Sequence, residues 1–387
     1  MSVTIADRPK EARVSEEELQ RIREFRVPDY DLPYPFKVNQ FVDNARAESY
    51  RWAEEFKLHE TLNTPEELQA AYACDIPGLV LAGFVDCGEK EATWAAKVFV
   101  WLTFFDDRLD DITNFSAADR SSDIVLELYA LLMWSFPDDE QLFKNFVAFL
   151  DEGLVPDRTK ALEYMSSKLD EARQKTGTLF DTSSPQIHPF CKALGDIWAT
   201  LCESMPTVFL RRYALTFQDQ LLGNIKEVKY RETKTIPPLD DYIVFRRDSV
   251  NVRQSMVAVE FADHVHIPDE LFYRPEMQEF IAATLDIVIW YNDLWSFQKE
   301  ALIGDVHNLL VIIRHNENCS YVEAGAKVKQ MILDRIADFE KAISDLEKIS
   351  PPEYHRAMSR YFNYGRCFLA SSHRWHKVSP RYTQKLL

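Results

Sequence analysis

The chain has 387 residues, with 45 Lys or Arg against 62 Asp or Glu and a formal net charge of −17, the wrong sign for a surface that neutralises nucleic-acid phosphates. Its 10 glycines fall well below the roughly 27 that an average usage of about 7% would give, which argues against glycine-rich nucleotide folds and turn-dense all-β folds. Apolar residues at 46% and charged residues at 28% describe a globular chain with material for a large core.

Residues 1–25 read as a solvated, partly disordered lead-in. With no apolar h-region they do not resemble a signal peptide, and the expected location is the cytoplasm. VPDYDLPYPFK (27–37) is rich in proline and aromatics, which suits an extended strap lying on a helical body. The apolar stretch at 76–85 is too short to span a bilayer, so no membrane span is expected. Apolar residues then recur at three- and four-residue spacing over 93–107, 123–136, 280–300 and 327–349. Breaks fall at Pro137, at 181–189, at 236–238, at Pro268 and at 350–352. No alternating strand pattern and no internal repeat interrupts this. The expected fold is all-α, about ten to twelve helices in one domain over 26–387, with 151–189 as a candidate insertion. Six scattered cysteines without a CxxC pair read as reduced packing residues.

Two helical stretches are apolar and aromatic, then end in metal-ligand side chains. In VFVWLTFFDDRLDD (98–111), Asp106 and Asp110 are four residues apart, as are Asp107 and Asp111. Like charges stacked on one helix face repel, and acids at a helix C-terminus oppose the macrodipole. A bound cation accounts for such a cluster better than a solvated cap does, and oxygen-only ligands favour Mg²⁺, Mn²⁺ or Ca²⁺ over zinc. In LDIVIWYNDLWSFQKE (285–300), Asn292, Ser296 and Glu300 fall at i, i+4 and i+8, a column of three oxygen donors with Lys299 beside it. Either helix alone could be an ordinary amphipathic one with a polar stripe in water.

Taken in order, the two stretches resemble the motifs of class I terpene synthases. Asp106-Asp107-Arg108-Leu109-Asp110 matches that family's DDxxD, and NDLWSFQKE, from Asn292 to Glu300, matches its NSE triad. YIVFRRDSVNV (242–252) resembles the segment with the diphosphate-sensing arginine. Arg246 and Arg247 are both candidates there, the register favouring Arg247; the following position, often glycine in the family, holds Val250 or Asn251. SHRWHKVSPRY (372–382) resembles the C-terminal element with an aromatic lid residue and an Arg-Tyr pair.

The resemblance implies a class I terpenoid synthase α-helical bundle around a central apolar active-site cavity. It implies Mg²⁺, three ions with Mn²⁺ as a substitute, held by Asp106, Asp110, Asn292, Ser296 and Glu300. The substrate it implies is an isoprenyl diphosphate, bound through Arg247, Lys299, Arg381 and Tyr382 in a monomer or homodimer. An allylic diphosphate leaves only when its charge is neutralised. The carbocation left behind needs a dry, contoured cavity, and aromatic faces stabilise it; Phe104, Phe105, Tyr291 and Trp375 are candidates. Farnesyl diphosphate giving a sesquiterpene is the expected chemistry. Geranylgeranyl diphosphate giving a diterpene is the alternative, and a non-catalytic helical scaffold is the rival of another class. His264/His266 and His373/His376 have metal-like spacing but no third-ligand framework, and read as surface or core histidines.

Overall fold

The computed structural model describes residues 15–62, 64–110, 121–153, 155–233 and 235–383. Helix starts are written locally in the sequence. Ser15, Thr64, Asp139, Asn308 and Ser320 accept backbone N–H groups as N-caps, with reciprocal capping boxes at Thr64/Glu67 and Ser320/Glu323. Pro65, Pro189 and Pro275 sit at first helical positions, where a missing N–H does no harm.

The helices run α1 (Glu16–Glu24), α2 (Val42–Glu55), α3 (Pro65–Ala73), α4 (Ile76–Leu81), α5 (Glu89–Asp110), α6 (Ser121–Trp134), α7 (Glu140–Asp151), α8 (Arg158–Gln174) and α9 (Pro189–Cys202). They continue as α10 (Thr207–Thr233), α11 (Leu239–Ser249), α12 (Arg253–Ala262), α13 (Asp269–Phe272), α14 (Pro275–Leu302), α15 (Leu309–Glu317), α16 (Tyr321–Ile349), α17 (His355–Val378) and α18 (Pro380–Thr383). No strand occurs among the described residues, and the fold is all-α. The count exceeds the ten to twelve expected because pieces as short as α4, α13 and α18 fall below the window in which helical periodicity is visible.

α14 is buried on nearly every side from Leu285 to Leu294, the mark of a central helix. It packs against α11, α15, α16 and α17. α5 is the second axis, packed on α2, α4, α9 and α12. Gly223 on α10 allows close approach to α11: a Cβ there would lie 2.8 Å from the Ser249 backbone nitrogen.

Residues 16–24 of the expected lead-in form α1, and the chain then crosses the outer side of α14 as an irregular strap. Gln298 of α14 donates to the carbonyls of Ile22 (3.0 Å) and Phe25 (3.1 Å), and Tyr30 stacks on Tyr291 at 5.2 Å. Among the described residues no helix is long and apolar enough to cross a membrane. All six cysteines are unpaired.

Candidate active site

Between α4, α5, α10, α14 and α17 lies a cavity of about 220 Å³, with α18 and the α11–α12 junction completing its wall. Four side chains on α5 reach it: Phe99, Leu102, Thr103 and Asp106. Their spacing of three and four residues is one helical face. Val288, Asn292, Ser296, Lys299 and Glu300 of α14 reach it by the same periodicity. The aspartate helix and the amide–hydroxyl–carboxylate helix therefore open onto one space. The cavity also has an apolar part, with Ile76 and Leu79 from α4 and Phe368 and Trp375 from α17.

Asn292 is held from behind. Its Nδ2 donates to Tyr382 Oη at 2.9 Å and lies 3.4 Å from His376 Nε2. His376 places Nδ1 2.7 Å from the Ser372 carbonyl, an arrangement that assigns the proton to Nδ1 and leaves Nε2 as an acceptor. Burial pushes the His376 pKa down to about 4, so the ring stays neutral and keeps that acceptor. With its amide hydrogens directed at α17 and α18, Asn292 has Oδ1 left for other partners.

The C-terminal pair reaches the same cavity. Arg381 Nη2 lies 3.5 Å from Asp107 Oδ1, and Asp107, supported by Asp106, pushes the guanidinium pKa further up. Asp107, without an assigned role in the sequence, thus ties the last described helix to the aspartate-bearing one. Trp375 donates its indole N–H to the Cys74 carbonyl and packs edge-on to Tyr382.

The structure departs from expectation at the arginine pair. Arg247 turns away from the cavity and makes a bidentate ion pair with the buried Asp286, at 2.6 and 2.7 Å. Arg246 is the residue on the cavity wall. Its Nη1 pairs with Glu227 Oε1 at 2.7 Å and donates to Ser249 Oγ at 3.0 Å. Glu227, nearly fully buried, is backed by His307 Nδ1 at 3.3 Å. Sequence reading missed Glu227 entirely.

The aromatic candidates divide. Trp375 lines the cavity; Phe104, Phe105 and Tyr291 do not. Phe105 stacks on Trp101 at 4.7 Å and meets Phe190 edge-on, so its ring is taken up by neighbours beside the cavity-lining face of α5. Tyr291 is taken up by Tyr30 and His373. Phe99 of α5 and Phe368 of α17 join Trp375 as aromatic liners. Asp110 ends α5, and its side chain lies outside the described residues, as do Asp111 and its neighbours to residue 120.

Between α11 and α12 the helix breaks at Val250–Val252, all three residues lining the cavity. Asn251 adopts φ 62°, a left-handed conformation that asparagine tolerates better than most residues. Its Oδ1 accepts from Gln220 of α10, which in turn bonds Gln254 of α12. The break is thus anchored by buried amides.

Asp106, Asn292, Ser296 and Glu300 together offer carboxylate, amide and hydroxyl oxygens, a set that fits a hard divalent cation. Among the described residues no three His, Cys, Asp or Glu side chains converge into a closed cage. The donors lie on two walls of a space that also carries Arg246, Lys299 and Arg381, which suits an anion bound together with cations.

The profile of the family described as "Terpene synthase family 2, C-terminal metal binding" matches residues 137–338, just over half the chain. An alpha-gurjunene synthase from Marchantia polymorpha is 30% identical over 378 residues, covering 93% of this chain and 86% of that protein. A silphinene synthase from Penicillium patulum is 24% identical over 80% of this chain and 72% of its own length. Among solved structures, an a-eudesmol synthase superposes with a TM-score of 0.68 at 19% identity, over 91% of this chain and all but 1% of that one. A linalool/nerolidol synthase from Streptomyces clavuligerus gives a TM-score of 0.67 at 18% identity, over 90% and 100% of the two chains. At these identities the superpositions establish the shared fold.

Proposed function

This chain belongs to the terpene synthase family and is a lyase of that kind, and from that premise we propose that it ionises and cyclises farnesyl diphosphate to a sesquiterpene, releasing diphosphate, with Mg²⁺ as its cofactor. The observation that carries this reading is the single cavity lined by Asp106 from α5 and by Asn292, Ser296 and Glu300 from α14. Those four residues would hold the ions, three in number with Mn²⁺ as a substitute, and Asp110 would join them. Bound there, the ions supply the neutralising charge that lets the diphosphate depart.

The chain's own groups do the rest. Arg246, Lys299, Arg381 and Tyr382 donate to the diphosphate oxygens. We assign the sensing role to Arg246 rather than Arg247, because Arg247 is committed to Asp286 away from the cavity. Arg246 rests on Glu227 until an anion of higher charge competes for it. The Arg381–Asp107 contact ties α18 to α5, and tightening it around bound substrate would exclude water. Phe99, Phe368 and Trp375 present rings to the developing cation.

We take the C15 substrate over the C20 alternative because a 7-epi-alpha-eudesmol synthase from Streptomyces viridochromogenes, 22% identical over 80% of this chain, is named as cyclising farnesyl diphosphate. We take residues 26–387 as one catalytic domain preceded by a lead-in, working in the cytoplasm as a monomer or homodimer. Incubation with C10, C15 and C20 diphosphates and Mg²⁺, read by gas chromatography–mass spectrometry, tests the reading. A cyclic C15 product lost on chelation is the expected outcome. A C20 product in its place makes the chain a diterpene synthase. No product, with no stabilisation by Mg²⁺ plus pyrophosphate, returns it to the scaffold reading.

A further inference from the structure

Three of the metal-ligand positions lie on α14, and two of them, Ser296 and Glu300, meet one further side chain that belongs to no recognised motif. Asn308 follows the Asp305–His307 loop and is fully buried. Its Oδ1 accepts the Leu310 backbone N–H at 2.9 Å and so caps the N-terminus of α15. Its Nδ2 donates to Glu300 Oε2 at 2.9 Å and to the Asp293 carbonyl at 2.9 Å, with Ser296 Oγ at 3.4 Å. A primary amide has two N–H donors and one carbonyl acceptor, and the partners here account for all of them. Asp293, one residue past Asn292, is fixed from α15 and α11: its Oδ2 accepts from Leu309 N at 3.2 Å and from Tyr242 Oη at 2.8 Å.

We propose that Asn308 is a positioning residue for metal binding: its amide orients the Glu300 carboxylate as a ligand, with the Ser296 hydroxyl beside it, while its carbonyl caps α15. The physical case rests on the two ends of one side chain having separable jobs. A cap needs an acceptor alone, which Ser or Thr also supplies. Orienting Glu300 needs a donor held rigidly beside it, and only the amide end does that. An unoriented Glu300 would have to be ordered by the ion itself, which weakens binding; loss of a hydrogen bond to a metal ligand typically lowers affinity about 10–100-fold. The inference rests on the proposed function, since it presumes that Glu300 and Ser296 hold a divalent ion.

The test compares the wild-type chain with Asn308→Ser and Asn308→Thr, each of which keeps an acceptor for the Leu310 N–H. Binding is read by calorimetric titration of Mg²⁺ in the presence of inorganic pyrophosphate, with the melting shift under the same ligands as a second readout. Turnover of farnesyl diphosphate against Mg²⁺ concentration is the third. The expected result is a 10–100-fold rise in the Mg²⁺ concentration for half-saturation in calorimetry and in turnover. The metal-free melting temperature should hold to within a few degrees, and KM for the diphosphate at saturating Mg²⁺ should change less than twofold. Unchanged Mg²⁺ half-saturation in either folded variant overturns the proposal. So does loss of the fold in both, which would make Asn308 a structural cap. If the wild-type chain neither binds Mg²⁺ with pyrophosphate nor turns over the substrate, the proposed function is what has failed. Wild-type binding with normal variants refutes the role of Asn308 alone.

Discussion

Arg212 is buried and Arg246 largely so, each paired with a buried glutamate, yet their surroundings give them opposite jobs. Arg212, on α10, reaches Glu260 through Nη1, Asp269 through Nε (3.1 Å) and Nη2 (2.6 Å), and the Ile267 carbonyl through Nη2 (3.1 Å). Its guanidinium lies over Phe272 at 4.2 Å. Glu260 is closed in from the other side by Tyr361 Oη at 2.9 Å and His266 Nδ1 at 2.7 Å. Every edge of that pair is filled by protein. Arg246 meets Glu227 and Ser249 through one nitrogen and lines a cavity. The same ion pair is thus a fastener where acceptors surround it and a waiting donor where one side opens onto empty volume. Desolvation makes both arginines expensive to bury, and only complete pairing offsets that without a ligand.

Arg212→Met is the strongest way to break the comparison from the structural side. Removing the cation leaves Glu260 buried at 0% exposure, and breaking a buried pair costs about 3–5 kcal/mol. Denaturant unfolding should show that loss, with activity per folded molecule kept. A loss under about 1 kcal/mol would mean that the cluster does not hold α10 to α12.

Arg246→Ala should act the other way round. Removing a donor aimed at developing anionic charge typically lowers turnover about 10²–10³-fold, or 2.7–4 kcal/mol. Stability should fall less than in Arg212→Met, because Glu227 keeps His307 beside it and faces a cavity that water can enter. Turnover within tenfold of wild type would remove Arg246 from the diphosphate site.

Asp219 sharpens the contrast, being a partly buried acid whose neighbours do not match its charge. Burial, with Asp248 nearby, raises its pKa to about 6, against which Arg253 and the Asn145 amide at 3.2 Å act only in part. A folded-state pKa above the unfolded value of 3.8 means the protonated form is the stabilising one. That contribution is full below the unfolded value and is lost as pH rises through about 6. Asp219→Asn should therefore raise stability at neutral pH, by on the order of 1–3 kcal/mol, and flatten the pH dependence between 4 and 6. Thermal melts across that range decide it; a variant less stable than wild type at pH 7 would contradict the assignment.

These regions also mark how far the sequence could be read. The long helices were legible because apolar periodicity and caps are local, and so was the ligand column, since i, i+4, i+8 on one helix is fixed by helical geometry alone. What helical spacing cannot say is which buried face meets a hollow and which meets a neighbour. On α5 both faces are apolar, so Phe105 looked as good as Phe99 until Trp101 and Phe190 were seen to occupy one side. Adjacent residues point about 100° apart on a helix, and only the tertiary position of Asp286 separates Arg247 from Arg246. Glu227 carries no local signal and Asn308 none beyond its N-cap, because Arg246 and His307 lie far from Glu227 in sequence and the approach of Asn308 to Glu300 is set by the packing of the intervening loop. His376, read as an ordinary histidine, gained its place only when α17 brought it beside Asn292.

Arg247 supplies the smallest effect and the cleanest control. It is partly exposed, at 27% of its side chain, while its partner Asp286 is at 1%. Asp286 does not depend on it alone, since Arg335 Nε reaches Oδ2 at 2.9 Å. Arg247→Gln should then cost about 1 kcal/mol or less, as for a partly exposed pair, with the second arginine still neutralising the buried acid. Turnover and the Mg²⁺ dependence should stay at wild-type levels, because no atom of Arg247 lines the cavity. A hundredfold loss of turnover in Arg247→Gln with an unchanged melting temperature would reverse the assignment. It would require α11 to rotate by about one residue on binding substrate, carrying Arg247 inward and Arg246 out. The pair of single variants distinguishes a pre-set cavity wall from a helix that turns.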